Sequence, residues 1–498
     1  MYVRYLCSLA LISLLSATAS AGSDYQDVSN ELQRELQVQL THSRAKNIIL
    51  FVGDGMGVST VTAARILDGQ NRGVDGEGNL LSFERFPFIA LSKTYSADQQ
   101  TPDSAPTMSA MVTGYKTNGG VFGVNNTVIR GERSWDRIQK NSVKNIFEVA
   151  EEVGMATGVV STARITHATP GACYAHTSNR DWESDADVPQ ESNVPDIARQ
   201  LIEFPFGDGI DVVFGGGARA FIPKESSKYF SEGRRKDGRD LISEWLNKSP
   251  GSRFLHTKEE LENLDSSSLV PTLGLFSSSH MAYSVDRGAG GDSTQPSLVD
   301  MTRAAIKLLS NHSSGYVLSV EAGRIDHGHH AGNAFRALHD AIELSDAVEE
   351  AVRLVDLNET LIIVTADHSH VMTLAGYPKR GNPILGKVIH SGESAPVLAK
   401  DGLPYTTIGY MNGRGFHDLE GGGDEVYKEE IFLGRKDLTD IDSESPGFHQ
   451  ESLVPLDMET HGGEDVAIYA VGPMAHLFRG VKEQNYIFHV MRYALGEK

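Results

Sequence analysis

The sequence predicts an α/β protein: a large central, mostly parallel sheet flanked by helices on both faces, with an irregular insertion on its rim. Three observations carry that prediction. Apolar, β-branched runs recur along the chain: "NIILFVGD", "GMATGVVST", "DVVFGGG", "SGYVLSVEAG", "TLIIVTADHSH" and "DVAIYAVG". They are continuous rather than alternating, which marks strands buried on both faces. Segments of helical periodicity separate them, as crossovers between parallel strands require.

In chain order, residues 1–21 read as a secretory signal peptide, with one early positive charge, a short apolar run and an A-x-A site at Ala19 to Ala21. The expected destination is periplasmic or secreted. The C-terminal "HVMRYALGEK" lacks the apolar tail of a lipid-anchor signal, so no membrane anchor is expected. Cleavage removes Cys7 and leaves Cys173 alone, so no internal disulfide is available. Residues 22–44 are polar and read as an N-terminal helical arm, and 45–498 as the α/β domain. Within it, residues 224–270 form a polar excursion, and the Gly- and acid-rich stretch from about 376 to 455 reads as the rim insertion. The net charge of −21 argues against a nucleic-acid partner and favours bound cations.

Several strands end on a carboxylate. "NIILFVGD" delivers Asp54, "YVLSVE" delivers Glu321, and "LIIVTAD" delivers Asp367 with His368 behind it. Ligands of open α/β sheets collect outside the carboxyl ends of the strands. One acid there is an ordinary helix cap; three in one crevice repel each other unless cations lie between them. In "EAGRIDHGHH", Asp326 and His330 are four residues apart and share a helix face, a pairing that suits zinc. His327 and His329 fall off that face and are expected behind the ligands or in solvent. His370 follows in "TADHSH", and His461 lies in a Gly-rich turn before a late strand. In "QQTPDSAPTMSAMVTG", Ser104 stands where an extended segment turns into a helix, either as its cap or as a nucleophile.

These motifs, with "THATPGACYAHTSNRDW" and "ETHGGEDVAIYA", resemble the alkaline phosphatases, above all the animal-type branch, from about residue 30 to the C-terminus. The resemblance implies hydrolysis of small phosphate monoesters, with broad specificity and an alkaline optimum, by a homodimer that holds two Zn2+ and one Mg2+ per subunit. It implies that Ser104 is the nucleophile that becomes phosphorylated and that Arg180 grips two phosphate oxygens, with Asp103 beside it in the substrate pocket. Asp326, His330 and His461 match the first zinc site; Asp54, Asp367 and His368 match the second; Asp54, Thr169 and Glu321 match the magnesium site. His167, with His327 and His370, falls behind these ligands. The branch's additional Ca2+ site uses a Phe-Glu pair, but here Ser277 follows Phe276, which argues against it. The rim insertion corresponds to the crown region of the animal enzymes.

The chemistry asks for these residue types. A phosphate monoester is doubly negative and resists anionic attack; metals and a guanidinium fork offset that charge. Two alternatives stand beside this reading. A sulfatase of the same superfamily would use an S/C-x-P-x-R signature, but "SAPTM" places Met108 where arginine is needed. A non-catalytic, metal-loaded secreted protein would not need every chemical position filled.

Overall fold

The computed structural model describes residues 36–225, 229–230, 233–287, 294–418 and 435–496, with positions 28, 30, 32 and 33. The proposed signal peptide, positions 22–27, 29, 31, 34 and 35 of the arm and residues 419–434 of the rim insertion lie outside the described residues. The chain divides into two compact units, residues 1–40 and 41–498. In the first, positions 28, 30, 32 and 33 are helical, and the Leu36 amide donates to the Leu32 carbonyl.

The larger unit is built on a ten-stranded sheet. In chain order its strands are β1 (Asn47–Gly53), β2 (Phe88–Lys93), β3 (Ala156–Arg164), β4 (Val212–Gly216), β5 (Arg253–Leu255), β6 (Thr272–Leu275), β7 (Tyr316–Ala322), β8 (Thr360–Ala366), β9 (Val466–Val471) and β10 (Gly480–Glu483). Their spatial order is β10-β2-β9-β8-β1-β7-β3-β4-β6-β5. Only β9 runs against the others. The central strands β7 and β8 are buried along their whole length, as their continuous apolar character predicts.

Helices cover both faces. In chain order the principal ones are α1 (Val58–Asn71), α2 (Ser104–Thr113), α3 (Leu241–Lys248), α4 (Leu298–Leu309), α5 (Arg324–His330) and α6 (Ala334–Leu354). One core contains Met108 and Met111 of α2 with Trp245 of α3. The other joins Val61 and Leu67 of α1 to Leu338, Leu344 and Val348 of α6. Residues 224–270 are not a mere polar excursion. They supply edge strand β5 and α3, whose Trp245 is fully buried and donates its indole N–H to the Arg253 carbonyl at 3.1 Å. The rim insertion adds Ile408–Gly413 and Ser452–Pro455 to Met372–Leu374, just before it, in a small three-stranded sheet. Among the described residues, no helix is long and apolar enough to cross a membrane.

Candidate active site

Strand register assembles the acids. Gly53 of β1 pairs with Ala366 of β8 on one side and Ala322 of β7 on the other. The next residues of β1 and β8, Asp54 and Asp367, therefore leave the sheet side by side, with Glu321 one residue before the end of β7. Gly55 makes the sharp exit from β1 possible. Its φ is +68°, a Cβ there would lie 2.3 Å from the His370 ring, and its amide donates to Asp367 Oδ1 at 2.9 Å.

Helix α2 brings Ser104 to these groups. Its cap is Asp103, which accepts from the Ala105 amide at 2.9 Å, so the serine is the first helical residue and not the cap. Pro106 is tolerated in this first turn, and Gly114 ends the helix in the left-handed region at φ +79°. Ser104 is 2% exposed, with Oγ 3.2 Å from His368 Nε2 and 3.4 Å from Asp54 Oδ1. The other Asp103 oxygen accepts from the Gly120 amide at 2.7 Å, and Oδ1 also accepts from Arg180 Nη1 at 3.0 Å. Arg180 Nη2 sits 3.0 Å from His167 Nε2. Asp103 thus orients the guanidinium.

The histidines arrive from farther away. His461 and Gly462 pair antiparallel with His370 and Ser369, a two-residue ladder that draws the late Gly-rich turn onto the "TADHSH" segment. The His368 and His461 rings stack with centroids 3.6 Å apart. His330 Nδ1 faces the Glu459 carbonyl at 2.6 Å and His461 Nδ1 faces the Pro102 carbonyl at 2.7 Å. Both Nδ1 atoms must therefore carry the hydrogen, which turns each Nε2 lone pair inward. Those two Nε2 atoms stand 3.1 Å apart, and Asp326 Oδ1 is 3.2 Å from the first and 3.3 Å from the second. The two imidazoles and the carboxylate converge on one point, where a metal ion would replace the protons they otherwise share. Their spacing approaches the edge of a tetrahedron with ~2.0–2.1 Å metal–nitrogen bonds, about 3.3 Å.

Two further groups fit cations. His368 Nε2 lies 3.3 Å from Asp367 Oδ2 and 3.6 Å from Asp54 Oδ1. Asp54 Oδ2, Thr169 Oγ1 and Glu321 Oε1 are buried without a hydrogen-bond partner among the described residues. Ser161 donates to the other Glu321 oxygen. An all-oxygen trio of this kind suits a hard cation such as magnesium.

The electrostatics agree. Burial, then the neighbouring Asp367, Asp326 and Glu321, push Asp54 well above the usual carboxylate range. Burial raises Asp367 as well, and Glu321 to about 7. Burial works in the same direction on Asp326, but His330, His370 and His461 outweigh it and hold this carboxyl well below its usual value. Carboxylates crowded this closely stay ionised together only beside positive charge.

The structure also corrects and extends the sequence reading. His329 is fully buried, not solvent-facing: Nε2 meets Thr60 Oγ1 at 3.0 Å and Nδ1 meets the Tyr410 hydroxyl at 2.8 Å. His327 packs 4.1 Å from His280 and 5.7 Å from His167 between ring centroids. His370 bridges Asp326 Oδ1 at 2.9 Å to Glu459 Oε2 at 2.6 Å. Glu459 was not singled out by sequence reasoning, although it lies two residues before His461 in the same "ETHGG" segment. Cys173 is buried, and burial raises its thiol above the range in which it would react.

Comparison with known proteins fits this geometry. The family model described as alkaline phosphatase matches residues 45–497. The tissue-nonspecific alkaline phosphatase of Gallus gallus is 44% identical over 484 residues, covering 94% of this chain and 88% of its own. The alkaline phosphatase of Gadus morhua is 42% identical over 476 residues, 93% of this chain and 94% of its own. Among solved structures, the Thermus thermophilus alkaline phosphatase is similar at TM-score 0.65 and 25% identity, covering 92% of this chain and 93% of that one. A variant of the TAB5 alkaline phosphatase, described with magnesium bound, has the same fold at TM-score 0.61 and 23% identity, covering 92% of this chain and all of that one. With the match spanning nearly the whole α/β unit and the sheet, helices and converging acids in place, this chain belongs to the alkaline phosphatase family, hydrolases of phosphate monoesters.

Proposed function

We propose that this chain hydrolyses phosphate monoesters through a phosphoserine intermediate at Ser104, with broad specificity and an alkaline optimum, as a metal-loaded exported homodimer. The convergence of Asp54, Glu321, Asp326 and Asp367 with His330, His368 and His461 around one buried serine carries this reading. Asp326, His330 and His461 would hold the first Zn2+; Asp54, Asp367 and His368 the second; Asp54, Thr169 and Glu321 the Mg2+. Bound there, the cations would offset the substrate's negative charge and acidify the hydroxyls that attack phosphorus.

The chain's own residues do the rest. Ser104 Oγ attacks phosphorus as the ester oxygen departs, and its proton faces Asp54 Oδ1 across 3.4 Å. Arg180, locked between Asp103 and His167, offers its remaining N–H groups to two phosphate oxygens. Near-complete burial of Ser104 keeps bulk water away from the nucleophile until the alcohol has left. Water then cleaves the Oγ–P bond, releasing inorganic phosphate and restoring the serine. The test is labelling of holoenzyme with radioactive phosphate, alongside a chromogenic ester assay. Ser104→Ala should lose the label and at least about a thousandfold in turnover; undiminished labelling would remove Ser104 from this role.

A further inference from the structure

Arg180 is held at three points. Its guanidinium meets Asp103 and His167, and its backbone amide donates to the Gly120 carbonyl at 2.8 Å. Gly120 also donates its own amide to Asp103 Oδ2 at 2.7 Å. One residue therefore fixes both the main chain of the arginine and the carboxylate that aims its side chain. The φ of Gly120 is +73°, in the left-handed region, and a Cβ there would lie 2.6 Å from both Cδ and Nε of Arg130. The Arg130 side chain thus rests directly on the Gly120 backbone, where only glycine leaves room for it.

From that position Arg130 reaches both sequence neighbours of Arg180. Its Nε donates to Asn179 Oδ1 at 3.3 Å and its Nη2 to Asp181 Oδ2 at 2.6 Å. Asn179 Oδ1 accepts in addition from the Asp181 amide at 3.1 Å, which closes the turn around Arg180. The chain on the far side of Arg130 is tied to the same segment. The Gly131 amide donates to the Ser178 carbonyl at 2.9 Å, and Ser178 Oγ donates to the Glu132 carbonyl at 2.6 Å. The Arg130 and Asp181 side chains are 49% and 66% exposed, so their ion pair adds little to the stability of the fold. A rigid guanidinium fork that spans the two residues flanking Arg180, and bears on the glycine that binds it, is built to orient.

We propose that Arg130 is a positioning residue for the hydrolysis: clamped over Gly120 between Asn179 and Asp181, it holds Arg180 ready to meet two phosphate oxygens. It acts through Arg180 and not by contact with substrate. The inference rests on the reading of Arg180 as the phosphate-binding arginine. An unclamped Arg180 would lose conformational freedom each time a phosphoryl group bound, whereas the clamp removes that cost beforehand.

The experiment compares metal-loaded wild type with Arg130→Ala, Asp181→Ala, Arg180→Ala and the double variant Arg130→Ala with Arg180→Ala. Metal content, Tm, kinetics on 4-nitrophenyl phosphate and the inhibition constant of inorganic phosphate are measured for each. Arg130→Ala and Asp181→Ala should each weaken inhibition by phosphate about fivefold or more and lower kcat/KM with it, at wild-type metal content and Tm. The shared direction is the diagnostic feature. If Arg130 only drew anions in by its charge, removing the Asp181 carboxylate would tighten phosphate binding instead. In the Arg180→Ala background, Arg130→Ala should add less than about a twofold change. Unchanged inhibition in Arg130→Ala, opposite effects of the two single deletions, a full further loss in the double variant, or a loss that tracks lower Tm or metal content would each overturn the proposal. Failure of the underlying reading looks different: the wild type would be inert on the ester, or Arg180→Ala would bind phosphate as tightly as wild type.

Discussion

Glu459 shows how much of the site is decided by single side chains that bind no substrate. Its Oε1 accepts from the Val371 amide and its Oε2 meets His370, while its backbone carbonyl fixes the tautomer of His330. Through His370, held charged to about pH 10 because Glu459 and Asp326 outweigh the cost of its burial, it steadies the carboxylate of Asp326. Glu459→Gln should therefore weaken retention of the first zinc by about 10–100-fold, measured by competition with a chromophoric chelator. Protonation supplies a second test at this scale. Glu321 rises from an ordinary 4.5 to about 7 on folding, and Asp54 and Asp367 rise with it. Between those values the native chain binds more protons than the unfolded one, so these groups make the metal-free protein less stable as pH rises. Metal binding relieves the repulsion. The Tm difference between metal-loaded and metal-free protein should widen from pH 5 to about pH 8; a difference that stayed flat or narrowed would contradict this account.

At the scale of elements, the register of β1 with β7 and β8 places three carboxylates together, and the short His461 to His370 ladder brings in the late histidines. Sequence reading located β1, β3, β4, β7, β8 and β9 because strands buried on both faces are apolar throughout. It passed over the four-residue β6 and β10, and also β2, whose Ile89 and Leu91 are exposed while Ala90 and Ser92 are buried, and β5, which is three residues long. All four lie toward the sheet's margins, where one face or one edge is solvated and the apolar run dissolves. The same effect disguised α3. Its helix is polar on one side, yet Trp245 fills the core beneath β5, and Trp245→Ala should cost about 3–5 kcal/mol in chemical denaturation. A loss below 1 kcal/mol would mean that residues 224–270 are an excursion after all.

For the whole molecule, the excess negative charge and the buried carboxylates make the same demand for cations. Elemental analysis of the purified protein should find zinc and magnesium near two and one per chain, the stoichiometry the family resemblance implies. Chelation should abolish ester hydrolysis, and adding both metals should restore it. The proposed homodimer predicts about twice the chain mass by light scattering. A monomer that retains full turnover would confine the mechanism to one subunit.

The sequence by itself singled out the candidate site residues: a serine opening a helix, acids at strand ends, histidines spaced for one helix face, and an arginine in a recognisable motif. Strand-end acids are legible because local pattern predicts buried strands, and buried strands in a parallel sheet deliver their termini to one crevice. Only the tertiary structure decided that Asp103 rather than Ser104 caps α2, that Glu459 stands behind His330 and His370, and that His329 is buried between Thr60 and Tyr410. Those outcomes depend on which loops from distant parts of the chain come to lie against one another, and no local periodicity encodes that contact.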